Sequence, residues 1–155
     1  MEDLSWIKEG YRELIEEYVG KLKRLENVLG ILLFGSVARG SCAPFALKAS
    51  DIDLLIVADK LPPNLLDRKA MSLQLRGTPL IQDIWVTPEE LLDLIDGRAG
   101  FIMDALTEGY ILYDEAGILR ESKRYLKELM EKKKIVRWKG GWRWTGRGLG
   151  SVFEL

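Results

Sequence analysis

The stretch that decides the fold is LLFGSVARGSCAPFALKASDIDLLIV, Leu32 to Val57. Two apolar runs of strand length, Ile31 to Phe34 and Ile52 to Val57, stand on either side of a turn rich in small residues. Gly35 and Ser36 stop the first run, Val37 to about Gly40 opens a short helix, and Ser41 to Ala49 reads as a loop. The second run is introduced by Asp51 and carries Asp53. Side chains alternate across a strand, so these two carboxylates share one side about 7 Å apart while Ile52 and Leu54 turn to the core. Two carboxylates at that spacing repel and resist ionising together, whereas Mg²⁺ between them turns the penalty into a binding site.

Outward from this stretch the pattern alternates. Leu4, Ile7, Tyr11, Leu14, Ile15, Tyr18, Val19, Leu22 and Leu25 recur at helical spacing and predict one long amphipathic helix over residues 3–26. Val28 to Phe34 is a buried strand. After the second strand, Pro62 and Pro63 mark a turn, Leu65 to Leu75 is helical, and Leu80 to Val86 is a third strand. Thr87, Pro88 and Glu90 fit an N-cap, a first-turn proline and a capping-box glutamate for a helix through about Ile95. A short helix over Arg98 to Glu108, a strand over Tyr110 to Tyr113 and a closing helix from Ile118 to Met130 complete the order. Strands alternating with helices predict an α/β (α+β) domain around a small mixed sheet flanked by helices.

Composition narrows the chemistry. A chain of 155 residues with 47 % hydrophobic content is expected to form one core. Its apolar runs fall short of the ~20 residues of a membrane span and its first residues are acidic and amphipathic, so a cytoplasmic protein is expected. One cysteine, Cys42, and no histidine exclude a disulfide framework, a thiolate or imidazole zinc site and histidine-based triads. Any metal must be held by oxygen. From Lys132 onward seven Lys or Arg face one acid, Glu154, leaving the preceding body net negative. We therefore divide the chain into a domain over 1–134 and a basic, Trp- and Gly-rich tail over 135–155.

A third acid stands in LIQDIWV, where Asp83 interrupts a strand that is otherwise mostly apolar. A buried charge there costs several kcal/mol unless it is paired or ligates a metal, so it can join Asp51 and Asp53 or sit in a structural ion pair. At the strand-to-helix turn, backbone N–H groups are free, Gly35 permits close approach and the Ser36 hydroxyl adds a donor. Arg39 follows one turn later, and together these suit a phosphate. No Gly-Lys-Ser/Thr follows the strand, so this is not a Walker loop.

GSVARG followed by SDIDLLIV resembles the DNA polymerase beta nucleotidyltransferase superfamily, in particular its minimal nucleotidyltransferase branch. EGYILYD, Glu108 to Asp114, is similar to a segment near the end of that branch's core. The loop between Ser36 and Asp51 is somewhat longer than the branch usually shows. The resemblance implies transfer of a nucleoside monophosphate, expected to be AMP, from an NTP, expected to be ATP, to an acceptor hydroxyl with release of pyrophosphate. It implies two Mg²⁺ held by Asp51, Asp53 and Asp83, with Asp83 helping to take the proton, and phosphates held by Gly35, Ser36 and Arg39. It also implies a protein or RNA acceptor, and a separate helical partner of the HEPN class, in trans, as the toxin of a toxin–antitoxin pair. Two other readings stay open: a non-catalytic partner-binding module of the same fold, and a nucleotidyltransferase acting on small molecules of the antibiotic type. For the tail, Trp138, Trp142 and Trp144 among basic residues fit packing, a protein contact or stacking on nucleic-acid bases.

Overall fold

The computed structural model describes residues 4–45, 49–132, 135–138 and 141–144, the last two segments through their backbone. In chain order the elements are α1 (Tyr11–Lys23), β1 (Val28–Phe34), α2 (Gly35–Arg39), β2 (Ile52–Ala58), α3 (Leu65–Arg76) and β3 (Ile81–Val86). There follow α4 (Pro88–Asp96), α5 (Gly100–Glu108), β4 (Tyr110–Asp114), α6 (Ile118–Glu131), β5 (Ile135–Trp138) and β6 (Gly141–Trp144).

The first four strands form one sheet in the order β3-β2-β1-β4. β1 runs antiparallel to both β2 and β4, and β2 runs parallel to β3, with α3 in the crossover. The mixed sheet flanked by helices expected from the alternating pattern is the architecture observed. β1 and β2 are central, which explains why both read as nearly unbroken apolar runs: each is covered on both faces. On one face Ile31, Leu33, Ile52, Leu54 and Ile56 pack under α1 through Ile15, Tyr18, Val19 and Leu22, with Met71 and Leu75 of α3 beside them. On the other, Leu32, Leu55 and Val57 pack under Leu91 and Ile95 of α4, Ile102 and Leu106 of α5, and Leu119 and Leu126 of α6.

The N-terminal helix is shorter than its periodicity predicts. Gly10 lies at φ +90°, outside any continuous helix, and the Phe45 ring occupies the space a Cβ there would need. Leu4 and Ile7 still reach the core, but from an irregular segment ahead of α1. The expected caps of α4 are present: Thr87 Oγ1 accepts from the Glu90 amide at 3.1 Å, and the Glu90 carboxylate accepts from the Thr87 amide at 2.9 Å. Beyond Lys134, where no periodicity is legible, β5 and β6 pair as an antiparallel hairpin with Ile135 opposite Trp144. The side chains of that hairpin, and with them the roles considered for its tryptophans, lie outside the described residues. Among the described residues no helix is long and apolar enough to cross a membrane.

Candidate active site

The β1–β2 ladder ends with Phe34 opposite Asp53, so the chain leaving β1 at Gly35 emerges beside the Asp53 carboxylate. Gly35 has φ +79°, a conformation that favours glycine, and a Cβ at this position would overlap Asp53 Oδ2. A residue without a side chain is what allows the backbone to lie against the carboxylate. The following turn, α2, is closed by Gly40 at φ +74°, with the Gly40 amide on the Val37 carbonyl at 3.2 Å and the Ser41 amide on Ser36 at 2.9 Å. The first N–H groups of such a turn have no acceptor within the helix.

These elements wall a cleft of about 430 Å³. Gly35, Ser36, Arg39, Asp51 and Asp53 all line it, together with Phe34 and two residues of α5, Phe101 and Asp104. Asp51 is exposed and Asp53 is half-buried. Burial pushes the Asp53 carboxyl above its usual range, the neighbouring Asp51 charge adds to that, and Arg39 partly offsets both. Arg39 makes an ion pair with Glu108 at the end of α5, 3.3 Å apart, which ties the turn to that helix. A guanidinium carries five donors, so this pairing leaves Arg39 with donors for an anion.

The pair Asp51 and Asp53 fits Mg²⁺. Their oxygens are hard ligands, Asp53 is destabilised as an anion by its surroundings, and Mg²⁺ is commonly held by one or two carboxylates with substrate phosphates completing its sphere. The three-aspartate arrangement expected from the sequence is not formed. Asp83 pairs with Leu54 across the parallel β2–β3 ladder, so it faces the α1 and α3 side of the sheet, opposite Asp53. There its side chain is 2 % exposed and accepts from the Tyr18 hydroxyl, from Ser72 Oγ at 2.5 Å and from Trp85 Nε1 at 3.0 Å. It is a structural acid in a hydrogen-bonded network. The β3 residue alongside Asp53 is Gln82, a carboxamide. Among the described residues no three acidic, His or Cys side chains are grouped closely enough to hold a metal.

Two contributions went unread in the sequence. Phe101, Asp104 and Glu108 stand at i, i+3 and i+7 on α5 and present one face toward the cleft and α2. The signal available was an acid inside the otherwise apolar GFIMDAL. The second is Tyr11, whose buried hydroxyl donates to the Ala43 carbonyl at 2.6 Å and accepts from the Ser50 amide at 2.8 Å. It pins both ends of the 41–50 loop, and the Ala43 amide to Ser50 Oγ bond at 2.9 Å closes the same neck.

Comparison with known proteins places the fold. The family described as Polymerase beta, Nucleotidyltransferase matches residues 16–117. A Methanocaldococcus jannaschii protein, named by inference a protein adenylyltransferase, is 39 % identical over 57 residues, 36 % of this chain and 36 % of that protein. The glycine–tRNA ligase beta subunit of Shewanella amazonensis is 33 % identical over 82 residues, 52 % of this chain and 12 % of the subunit. The chain thus spans about a third or less of the length of these relatives. Among solved structures, a toxin–antitoxin complex with AMP-PNP shares the fold with TM-score 0.50 and 18 % identity, over 77 % of this chain and 89 % of that one.

Proposed function

Because the chain belongs to the polymerase beta nucleotidyltransferase family, we propose that it transfers AMP from ATP to a hydroxyl of a partner protein, with release of pyrophosphate. The observation that carries this reading is the meeting of the Gly35–Ser36 turn with Asp51 and Asp53 in one cleft. The relative named as a protein adenylyltransferase supports AMP as the group moved and a protein as the acceptor.

In this reading the free amides of the Gly35–Ser36 turn, the Ser36 hydroxyl and Arg39 orient the β and γ phosphates. Asp51 and Asp53 are the residues that hold Mg²⁺, which when bound neutralises the triphosphate and lowers the pKa of the acceptor hydroxyl. The acceptor oxygen forms a bond to the α-phosphorus as the bond to the β-phosphate oxygen breaks, and pyrophosphate leaves with that electron pair. The hydroxyl proton passes to a carboxylate, the one class of base among the described lining residues. Asp83, held on the far face by Tyr18 and Ser72, takes no part.

The partner we assign is a helical protein of the HEPN class acting in trans, modified on a tyrosine. Its support is the likeness of Gly35, Ser36, Asp51 and Asp53 to the minimal nucleotidyltransferase branch. Incubation with α-labelled ATP, Mg²⁺ and the product of the neighbouring gene tests both parts. Label on a tyrosine of that protein, lost with Asp51→Ala and Asp53→Ala, is expected. Partner binding and rescue that are unchanged in Asp51→Ala, with no transfer to any acceptor, would instead make the chain a binding module.

A further inference from the structure

The α5 face on the cleft carries a residue that folding does not require. Ile102, Met103, Ala105 and Leu106 bury α5 against the sheet, whereas Phe101 is 43 % exposed and lines the cleft. Phe34, the other ring there, packs partly against the core below, so Phe101 is the aromatic surface with area to offer a ligand. The Gly35–Ser36 turn and Arg39 line the same cleft as Asp51 and Asp53, and α5 adds Phe101 and Asp104. Glu108 holds Arg39 at the C-terminal end of α5, and Phe101 stands seven residues before it, about 10 Å along the helix. Phosphates held at the turn and Arg39 therefore leave the uncharged end of a nucleotide to reach along α5 toward the Phe101 ring.

We propose that Phe101 is the stacking platform for the nucleobase of the bound nucleoside triphosphate. The inference rests on the nucleotidyltransferase reading of the same cleft and adds the base subsite to it. Stacking uses the face of the base, which every base has, and alanine substitution of such a platform lowers affinity roughly 5- to 100-fold. A purine presents the larger face, so ATP binds more tightly than CTP.

Calorimetry with the full chain, Mg²⁺ and two probes separates the possibilities: ATP, and inorganic tripolyphosphate, which has no base. Phe101→Ala is expected to weaken Mg·ATP at least 5-fold, to leave Mg·tripolyphosphate within twofold of wild type, and to shrink the ATP-over-CTP preference. Phe101→Tyr is expected to retain Mg·ATP affinity, and Phe101→Leu, apolar without a π-face, to fall with the alanine variant. Unchanged Mg·ATP affinity in Phe101→Ala, or equal loss of both probes, overturns the platform while wild-type binding of both leaves the phosphate site intact. Wild type that binds neither probe overturns the nucleotidyltransferase reading and the platform with it.

Discussion

The Tyr18 hydroxyl donates from α1 to the Asp83 carboxylate, on the face of the sheet away from Asp53. Burial pushes the Tyr18 phenol well above its ordinary pKa, and the Asp83 charge adds to the shift, so the phenol stays a donor at all physiological pH. With Ser72 and Trp85 also donating, this aspartate is fully engaged in joining α1 and α3 to the edge of the sheet.

Asp83→Ala therefore affects folding and spares the cleft. Removing the acceptor strands three buried donors, and a loss of about 3 kcal/mol or more is expected in urea unfolding. Mg·ATP affinity measured where the variant is folded stays within a few-fold of wild type. A specific loss of Mg·ATP binding with stability unchanged would return Asp83 to the site.

Asp53→Asn is expected to do the reverse. Its native pKa is raised, so the protonated form is favoured by folding. That contribution is full below the unfolded value of about 3.9 and is lost as pH rises through the higher native value. At neutral pH the ionised group destabilises the metal-free protein. The asparagine variant should then melt higher than wild type without Mg²⁺ at pH 7, by an amount that vanishes toward pH 4, and should lose Mg·ATP binding. A melting temperature equal to wild type at both pH values would contradict this.

Gly35 and Gly40 make an internal control. Both have positive φ, but a Cβ at Gly40 meets nothing within 4 Å whereas one at Gly35 overlaps Asp53. Gly40→Ala is expected to cost only the backbone term, about 1 kcal/mol, with Mg·ATP affinity retained. Gly35→Ala adds displacement of the carboxylate, and at least a tenfold loss of Mg·ATP affinity is expected by calorimetry.

Tyr11→Phe removes the hydroxyl that fastens the 41–50 loop. The Ser50 amide and Ala43 carbonyl lose their shared partner, at a cost of about 1–2 kcal/mol. Hydrogen exchange at Ser50 should accelerate. Because Asp51 follows directly, Mg·tripolyphosphate affinity measured by calorimetry is expected to fall as well.

The contrast between these residues shows what local patterning conveys. Gly35, Ser36, Asp51 and Asp53 were legible because they end two strands that read plainly as strands, and the spacing within each motif fixes which way its side chains point. Asp83 was not, because β3 is apolar at both parities, and whether residue 83 or 82 stands beside Asp53 is set by inter-strand register, where a slip of one residue reverses the face. Phe101 and Asp104 depend on how α5 is rotated against the sheet, which a nine-residue apolar helix does not declare. Gly10 falls inside the helical periodicity of residues 3–26, and the Phe45 ring that lies against it comes from far along the chain, which no local pattern conveys. The hairpin over 135–144 has strands of four residues, too short for a period to show.

The pairing of Phe34 with Asp53 separates two kinds of change open to this protein over evolution. The Gly35–Ser36 turn and Asp53 stand at sheet ends on either side of one connection, and Tyr11 fastens that connection near both of its ends through Ala43 and Ser50. Lengthening such a loop costs little, since closure entropy grows only with the logarithm of its length. Added residues between these fastened ends can therefore be taken up while the contact of Gly35 with Asp53 keeps its geometry.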